Sequence, residues 1–166
     1  NRKAPRGEYI ASSSEFFFLH ENVRGMKKLS EAGYSFIVIS NQAGIARGMV
    51  SKEAVDAINQ MMRQTLADEG VRILDVYVCP HHWEEHCLCR KPQPGLFFKA
   101  SREWLFRLDK AYFIGDDPRD CQAAYRAGCR CVYIGSRDEL KDLLPEEQPL
   151  WVVNNLEEAV PGLVQP

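Results

Sequence analysis

The chain has no apolar run of membrane-spanning length and no signal-peptide pattern over residues 1–11, so neither a transmembrane span nor an export leader is read from it. Excess charge is missing too. Its 21 Lys and Arg against 23 Asp and Glu leave a net charge of −2. That supplies neither the basic face that a nucleic acid or a membrane surface attracts nor an acidic tail. Aspartate is absent from residues 1–55, so aspartate chemistry must come from other segments. There is no internal repeat and no linker, and only residues 1–14 and 136–149 read as loop. What is present, 166 residues with 45% hydrophobic content, suffices for one compact domain with its own core. The sequence leaves the oligomeric state open, a monomer being the expectation, and its six cysteines suit a reducing cytoplasm.

Half of those cysteines fall in one loop. Cys79, His81, Cys87 and Cys89 make a Cys3His set, followed directly by Arg90, Lys91 and Pro92. Three thiolates and one imidazole suit tetrahedral zinc and leave no open position for substrate, so the metal is expected to be structural. His82 or His86 could replace His81 as the nitrogen ligand. A disulfide is disfavoured because Cys-x-Cys sulfurs bridge poorly. Fixing Cys89 would fix where the two following cations point. Cys121, Cys129 and Cys131 lie in apolar surroundings and read as buried thiols.

Elsewhere apolar runs alternate with amphipathic helices. Asn22–Ala32 reads as a helix closed by Gly33, and Tyr34–Ser40 as a strand buried on both faces. Ser51 caps a helix through Glu69 that stops at Gly70, and Val71–Val78 returns as a strand. Pro94 opens a helix to about Leu108, and Tyr112–Ile114 is a strand. Pro118–Ala127 is a helix ended by Gly128, Cys131–Ile134 a strand, and Trp151–Val153 a weak strand before a short terminal helix. This alternation predicts an α/β fold with a doubly wound parallel sheet.

Ligands of such sheets gather at the carboxyl ends of the strands. Three polar clusters fall there: the Ser40–Gly48 segment, the Arg90-Lys91 pair, and Gly115-Asp116-Asp117-Pro118-Arg119-Asp120. A hydroxyl with backbone amides, a lysine, and grouped carboxylates are the parts needed to hold a phosphoryl group beside magnesium. A Gly-Asp-Asp turn alone is more often a helix cap, and a lysine after a loop more often a solvated side chain. All three together, each at a strand end, shift the balance to a phosphate site.

Ser40-Asn41-Gln42-Ala43-Gly44-Ile45-Ala46-Arg47-Gly48, the cysteine loop running through Arg90-Lys91-Pro92 to Gly95, and Ile114-Gly115-Asp116 with Asp120 resemble the second, third and fourth motifs of haloacid-dehalogenase-type phosphatases. The metal loop is similar to that of the capless branch containing the heptose-bisphosphate and histidinol phosphatases, over about residues 1–135. The resemblance implies a Rossmann-like fold without a cap domain. It also implies a magnesium-dependent phosphomonoester hydrolase for a small phosphorylated sugar, foremost the 7-phosphate of D-glycero-D-manno-heptose 1,7-bisphosphate, with histidinol phosphate as the alternative. Ser40 and the Asn41 amide would bind the transferring phosphoryl oxygens, Lys91 would neutralise charge, and Asp116 would ligate magnesium. Arg90 would contact a substrate phosphate, Arg47 and Gln42 would hold the sugar, Asp120 would orient Lys91 or a magnesium-bound water, and Asp117 would stand in a supporting position.

The front of the chain departs from this pattern. The family's first strand ends in Asp-x-Asp-Gly, whose first carboxylate attacks phosphorus and whose second serves as acid and base. That signature does not occur in the sequence, and Asn1-Arg2-Lys3 is similar to the residues that follow it. The expectation is a chain lacking its central N-terminal strand, between the Tyr34–Ser40 and Tyr112–Ile114 strands. Such a chain would be inactive by itself. If genuine as it stands, it would be a zinc-stapled pseudophosphatase or binding module. A polynucleotide-end phosphatase is disfavoured, since no basic groove or stacking platform is present.

Overall fold

The computed structural model describes residues 8–164, so Asn1, Arg2 and Lys3 lie outside the described residues. The chain divides into two compact units, Asn1–His86 and Cys87–Pro166.

In the first unit, helix α1 spans His20–Glu31. Gly33 takes φ +92°, and the Tyr34 N–H reaches back to the Leu29 carbonyl at 2.9 Å, closing the helix where glycine alone adopts that backbone cheaply. Strand β1, Phe36–Asn41, follows. Helix α2, Lys52–Asp68, starts where the Ser51 hydroxyl accepts the Ala54 N–H at 3.0 Å. Strand β2, Ile73–Cys79, pairs parallel with β1 and sets Ser40 against Val78 and Asn41 against Cys79. Leu66, Val71 and Ile73 form the buried centre, with Val23, Met26, Phe36 and Met62 packed against them. Burial of each such side chain contributes roughly 1.5–3 kcal/mol. One expectation is corrected: β1 is half-buried at all six positions rather than covered on both faces, since within its unit it has one sheet partner.

The second unit begins with α3, Gly95–Trp104. It ends before the expected Leu108, because Leu105 turns left-handed at φ 52° and the Ser101 hydroxyl donates to the Phe106 carbonyl at 2.6 Å. A 3-10 turn at Leu108–Lys110 then feeds β3, Tyr112–Gly115. Helix α4 runs Pro118–Ala127, β4 Arg130–Ile134, β5 Trp151–Val153 and α5 Leu156–Val164. The three strands lie parallel in the order β3-β4-β5. Cys121, Ala124, Cys131, Tyr133 and Leu140 are buried between α4 and this sheet, whereas Cys129, expected buried, is half-buried beside them. The fold is therefore α/β with open parallel sheets. Among the described residues no ladder joins the two sheets, and no helix is long and apolar enough to cross a membrane.

Candidate functional site

Ser40 and Asn41 are the last two residues of β1, at its carboxyl end. Gln42 turns back, its side-chain amide donating to the Ser40 hydroxyl at 3.0 Å and its backbone N–H to the Cys79 carbonyl at 2.8 Å. The Ala46 N–H bonds the Pro80 carbonyl at 3.2 Å, so the Ser40–Gly48 loop is tied by backbone to the first residues beyond β2. Gly44 is required there: a Cβ would come within 2.8 Å of the Tyr9 ring. Arg47 extends from this loop, donating to the Tyr9 hydroxyl at 3.2 Å with its guanidinium carbon 5.8 Å from the Tyr9 centroid and 5.5 Å from that of Trp83.

The loop after β2 carries the cysteines. One ligand atom each from Cys79, His81, Cys87 and Cys89 lies within 4.8 Å of the others. The Cys79 Sγ to His81 Nδ1 separation is 3.6 Å and the Cys87 to Cys89 Sγ separation 3.4 Å. Tetrahedral ligands at about 2.0–2.3 Å from a shared ion stand about 3.5–3.8 Å apart, so this group fits a four-coordinate metal. His82 is used otherwise: its Nδ1 accepts the Glu84 N–H at 3.4 Å, and its ring packs on Trp83 at 3.7 Å between centroids. His86 takes the left-handed backbone that ends the 3-10 turn at Trp83–Glu85. Gly95 closes the loop, its N–H bonding the Leu88 carbonyl at 3.0 Å where a Cβ would clash with that oxygen.

Beyond Cys89, Arg90 is half-buried and its carbonyl accepts the Gln93 N–H at 2.7 Å. Lys91 points inward. Its Nζ lies 2.7 Å from Asp120 Oδ1, with the two side chains only 11% and 6% exposed, and 5.1 Å from the Phe113 centroid. The other oxygen of Asp120 accepts the Asp116 and Asp117 N–H groups at 3.0 and 3.1 Å. One carboxylate thus fixes both the ammonium and the turn that presents Asp116 at the end of β3. Gly115 allows the approach, since a Cβ there would meet Asp120 at 2.3 Å. Asp117 caps α4 through the Arg119 N–H at 3.0 Å and pairs with the Arg119 guanidinium at 2.7 Å. That hydrogen bond raises the Arg119 pKa. The buried Tyr133 hydroxyl donates to the Asp116 carbonyl at 3.4 Å. Burial above all, with Glu139 adding to it, pushes the phenol pKa up and keeps it a donor.

Tyr9, Trp83, Phe113 and Tyr133 were not singled out in the sequence. Only Trp83, within the metal loop, carried any local signal; the others meet their partners through the fold.

A family model described as HAD-hydrolase-like matches residues 88–159. The D-glycero-beta-D-manno-heptose-1,7-bisphosphate 7-phosphatase of Yersinia pestis is 32% identical over 155 residues, covering 89% of this chain and 82% of the relative. The alpha-heptose counterpart of Photorhabdus laumondii is 34% identical over 134 residues, covering 76% and 73%. Among solved structures, the D,D-heptose 1,7-bisphosphate phosphatase of B. bronchiseptica, complexed with magnesium and phosphate, superposes with a TM-score of 0.85 at 30% identity, covering 95% of this chain and 89% of that one.

Proposed function

The chain belongs to the heptose-bisphosphate phosphatase family of haloacid-dehalogenase-like hydrolases, and from that premise we propose that it is the phosphoryl-binding part of a magnesium-dependent phosphatase that removes the 7-phosphate of D-glycero-D-manno-heptose 1,7-bisphosphate. The observation that supports this most is the buried Lys91–Asp120 pair, whose carboxylate also holds the turn at Asp116. Burying both ions costs desolvation that only good geometry and extra hydrogen bonds offset, and a cation fixed beside a strand end meets charge developing on a transferring phosphoryl group.

In this reading Ser40 and the Asn41 amide bind phosphoryl oxygens, Lys91 neutralises their charge, and Asp120 keeps Lys91 in place. Asp116 offers a hard carboxylate oxygen for magnesium, which when bound supplies charge neutralisation and alignment. Asp117 supports the turn by capping α4. Gln42, Arg47 and Arg90 contact the substrate outside the reacting phosphate. The attacking carboxylate in this reading is that of the family's Asp-x-Asp-Gly signature, which the 166 residues do not contain. Cys79, His81, Cys87 and Cys89 would hold a structural zinc, a set with no place for substrate. The substrate is a small molecule and the protein a cytoplasmic monomer.

Phosphate release from heptose 1,7-bisphosphate and from histidinol phosphate, with magnesium, tests the proposal on a polypeptide carrying the preceding segment. The heptose substrate should be preferred, and the 166-residue chain alone should release nothing, since losing a covalent nucleophile removes the reaction path. A preference for histidinol phosphate would replace the substrate. Binding of sugar phosphate without turnover by both polypeptides would favour a binding module instead.

A further inference from the structure

Three features converge on Arg47. It is exposed on the loop leaving the carboxyl end of β1, and its guanidinium lies over two aromatic rings, Tyr9 at 5.8 Å and Trp83 at 5.5 Å. The Tyr9 hydroxyl accepts from one of its terminal nitrogens at 3.2 Å. Among the described residues no carboxylate pairs with it, whereas Arg119 is taken by Asp117, Arg107 by Asp109 and Lys91 by Asp120.

A surface arginine left to itself samples many rotamers, and holding it still costs side-chain entropy. Here that cost is met within the unit. Tyr9 is seated against Gly44 so closely that a Cβ would clash with its ring. The Arg47 N–H bonds the Ala43 carbonyl at 3.1 Å, and the Ala46 N–H bonds the Pro80 carbonyl at 3.2 Å, near the segment that carries Trp83. Ring packing strips water from the guanidinium faces while its edge keeps the planar donor fork that matches a phosphate. An arginine held in place without an acidic partner is suited to an incoming oxyanion.

We infer that Tyr9 and Trp83 are positioning residues that hold Arg47 as an oxyanion fork for the second phosphate of a sugar bisphosphate, the one not transferred. The inference rests on the bisphosphatase reading above and adds to it the residues that select a bisphosphate over a monophosphate. The reacting phosphoryl group belongs to Ser40 and Asn41 at the strand end; Arg47 lies further along the same loop.

The test compares kcat/KM for heptose 1,7-bisphosphate with that for the corresponding 7-monophosphate, using the full-length protein. Trp83→Leu should lower this selectivity about tenfold through a higher KM for the bisphosphate, and Trp83→Phe, which keeps an aromatic face, should restore most of it. Tyr9→Phe keeps the ring, loses the acceptor and should fall between them. Trp83 is 50% exposed, so its replacement should leave the fold intact. Unchanged selectivity in Trp83→Leu would overturn the inference. If the parent protein hydrolyses no sugar phosphate, the bisphosphatase reading fails separately. Titration with inorganic phosphate, followed at the Arg47 Nε–H resonance by NMR, then decides: a shift in the parent that weakens in Trp83→Leu supports the fork, and the same response in both proteins removes it.

Discussion

At the residue scale, Asp120 connects most of the chemistry. Its two oxygens hold the Lys91 ammonium and two backbone N–H groups, in a space that exists because residue 115 is glycine. Lys52 and Asp56 approach just as closely, at 2.6 Å, but both are exposed, and such pairs add little. Removing one partner of a buried pair is different, because it leaves the other charge uncompensated. Asp120→Asn should therefore cost about 3–5 kcal/mol of stability. Gly115→Ala should also destabilise, by forcing the Asp120 side chain away from the turn. Urea unfolding measures both; an Asp120→Asn protein within experimental error of the parent would mean that the pair stabilises nothing.

At the element scale, the sequence is most legible where several local signals agree. Helix α4 begins and ends where expected because Asp117 caps it, Pro118 opens it and Gly128 takes φ +76° to stop it. Helix α3 carried no stop signal: Leu105 adopts a left-handed backbone that leucine rarely takes, so the helix ends earlier than its apolar pattern implies. The Cys/His cluster was legible because ligand spacing is itself a local code. Spacing alone favours His81 there over His82 and His86; the structure groups His81 with the three cysteines, and the turn at Trp83–Glu85 engages His82. This element has its own test. The half-buried Cys129 thiol has its pKa pushed up to about 11 by burial, and Cys121 and Cys131 are buried out of a reagent's reach, so all three should react slowly at neutral pH. In the metal-loaded native protein, a thiol reagent should therefore label little. A strong chelator should expose Cys79, Cys87 and Cys89 first, leaving the other three protected until denaturation. Simultaneous labelling of all six, or full labelling before chelation, would argue against a metal-held loop.

At the scale of the whole molecule, the polar segments proposed to bind phosphate were readable as sequence because each is short and lies at a strand end, whereas the Arg47 contact with Tyr9 links positions 38 apart and leaves no local trace. The roles assigned to those parts make different kinetic demands. In the proposed roles Asp116 would face magnesium, whose concentration can be changed. Asp116→Asn in the full-length enzyme should lose most activity and recover part of it as magnesium is raised. Lys91 is a buried charge paired with Asp120; if it meets the negative charge that grows during transfer, as proposed, its loss should lower kcat by several orders of magnitude without recovery. Ser40→Ala removes one hydrogen bond to a charged phosphoryl oxygen, worth about 1.5–3 kcal/mol, so its rate should fall about ten- to a hundredfold, less than for Lys91→Ala. A magnesium titration of kcat across the three variants separates them, with thermal melts to confirm that Lys91→Ala remains folded despite the unpaired Asp120. If Asp116→Asn and Lys91→Ala keep near-parental turnover, the buried pair serves stability alone and the catalytic assignment falls.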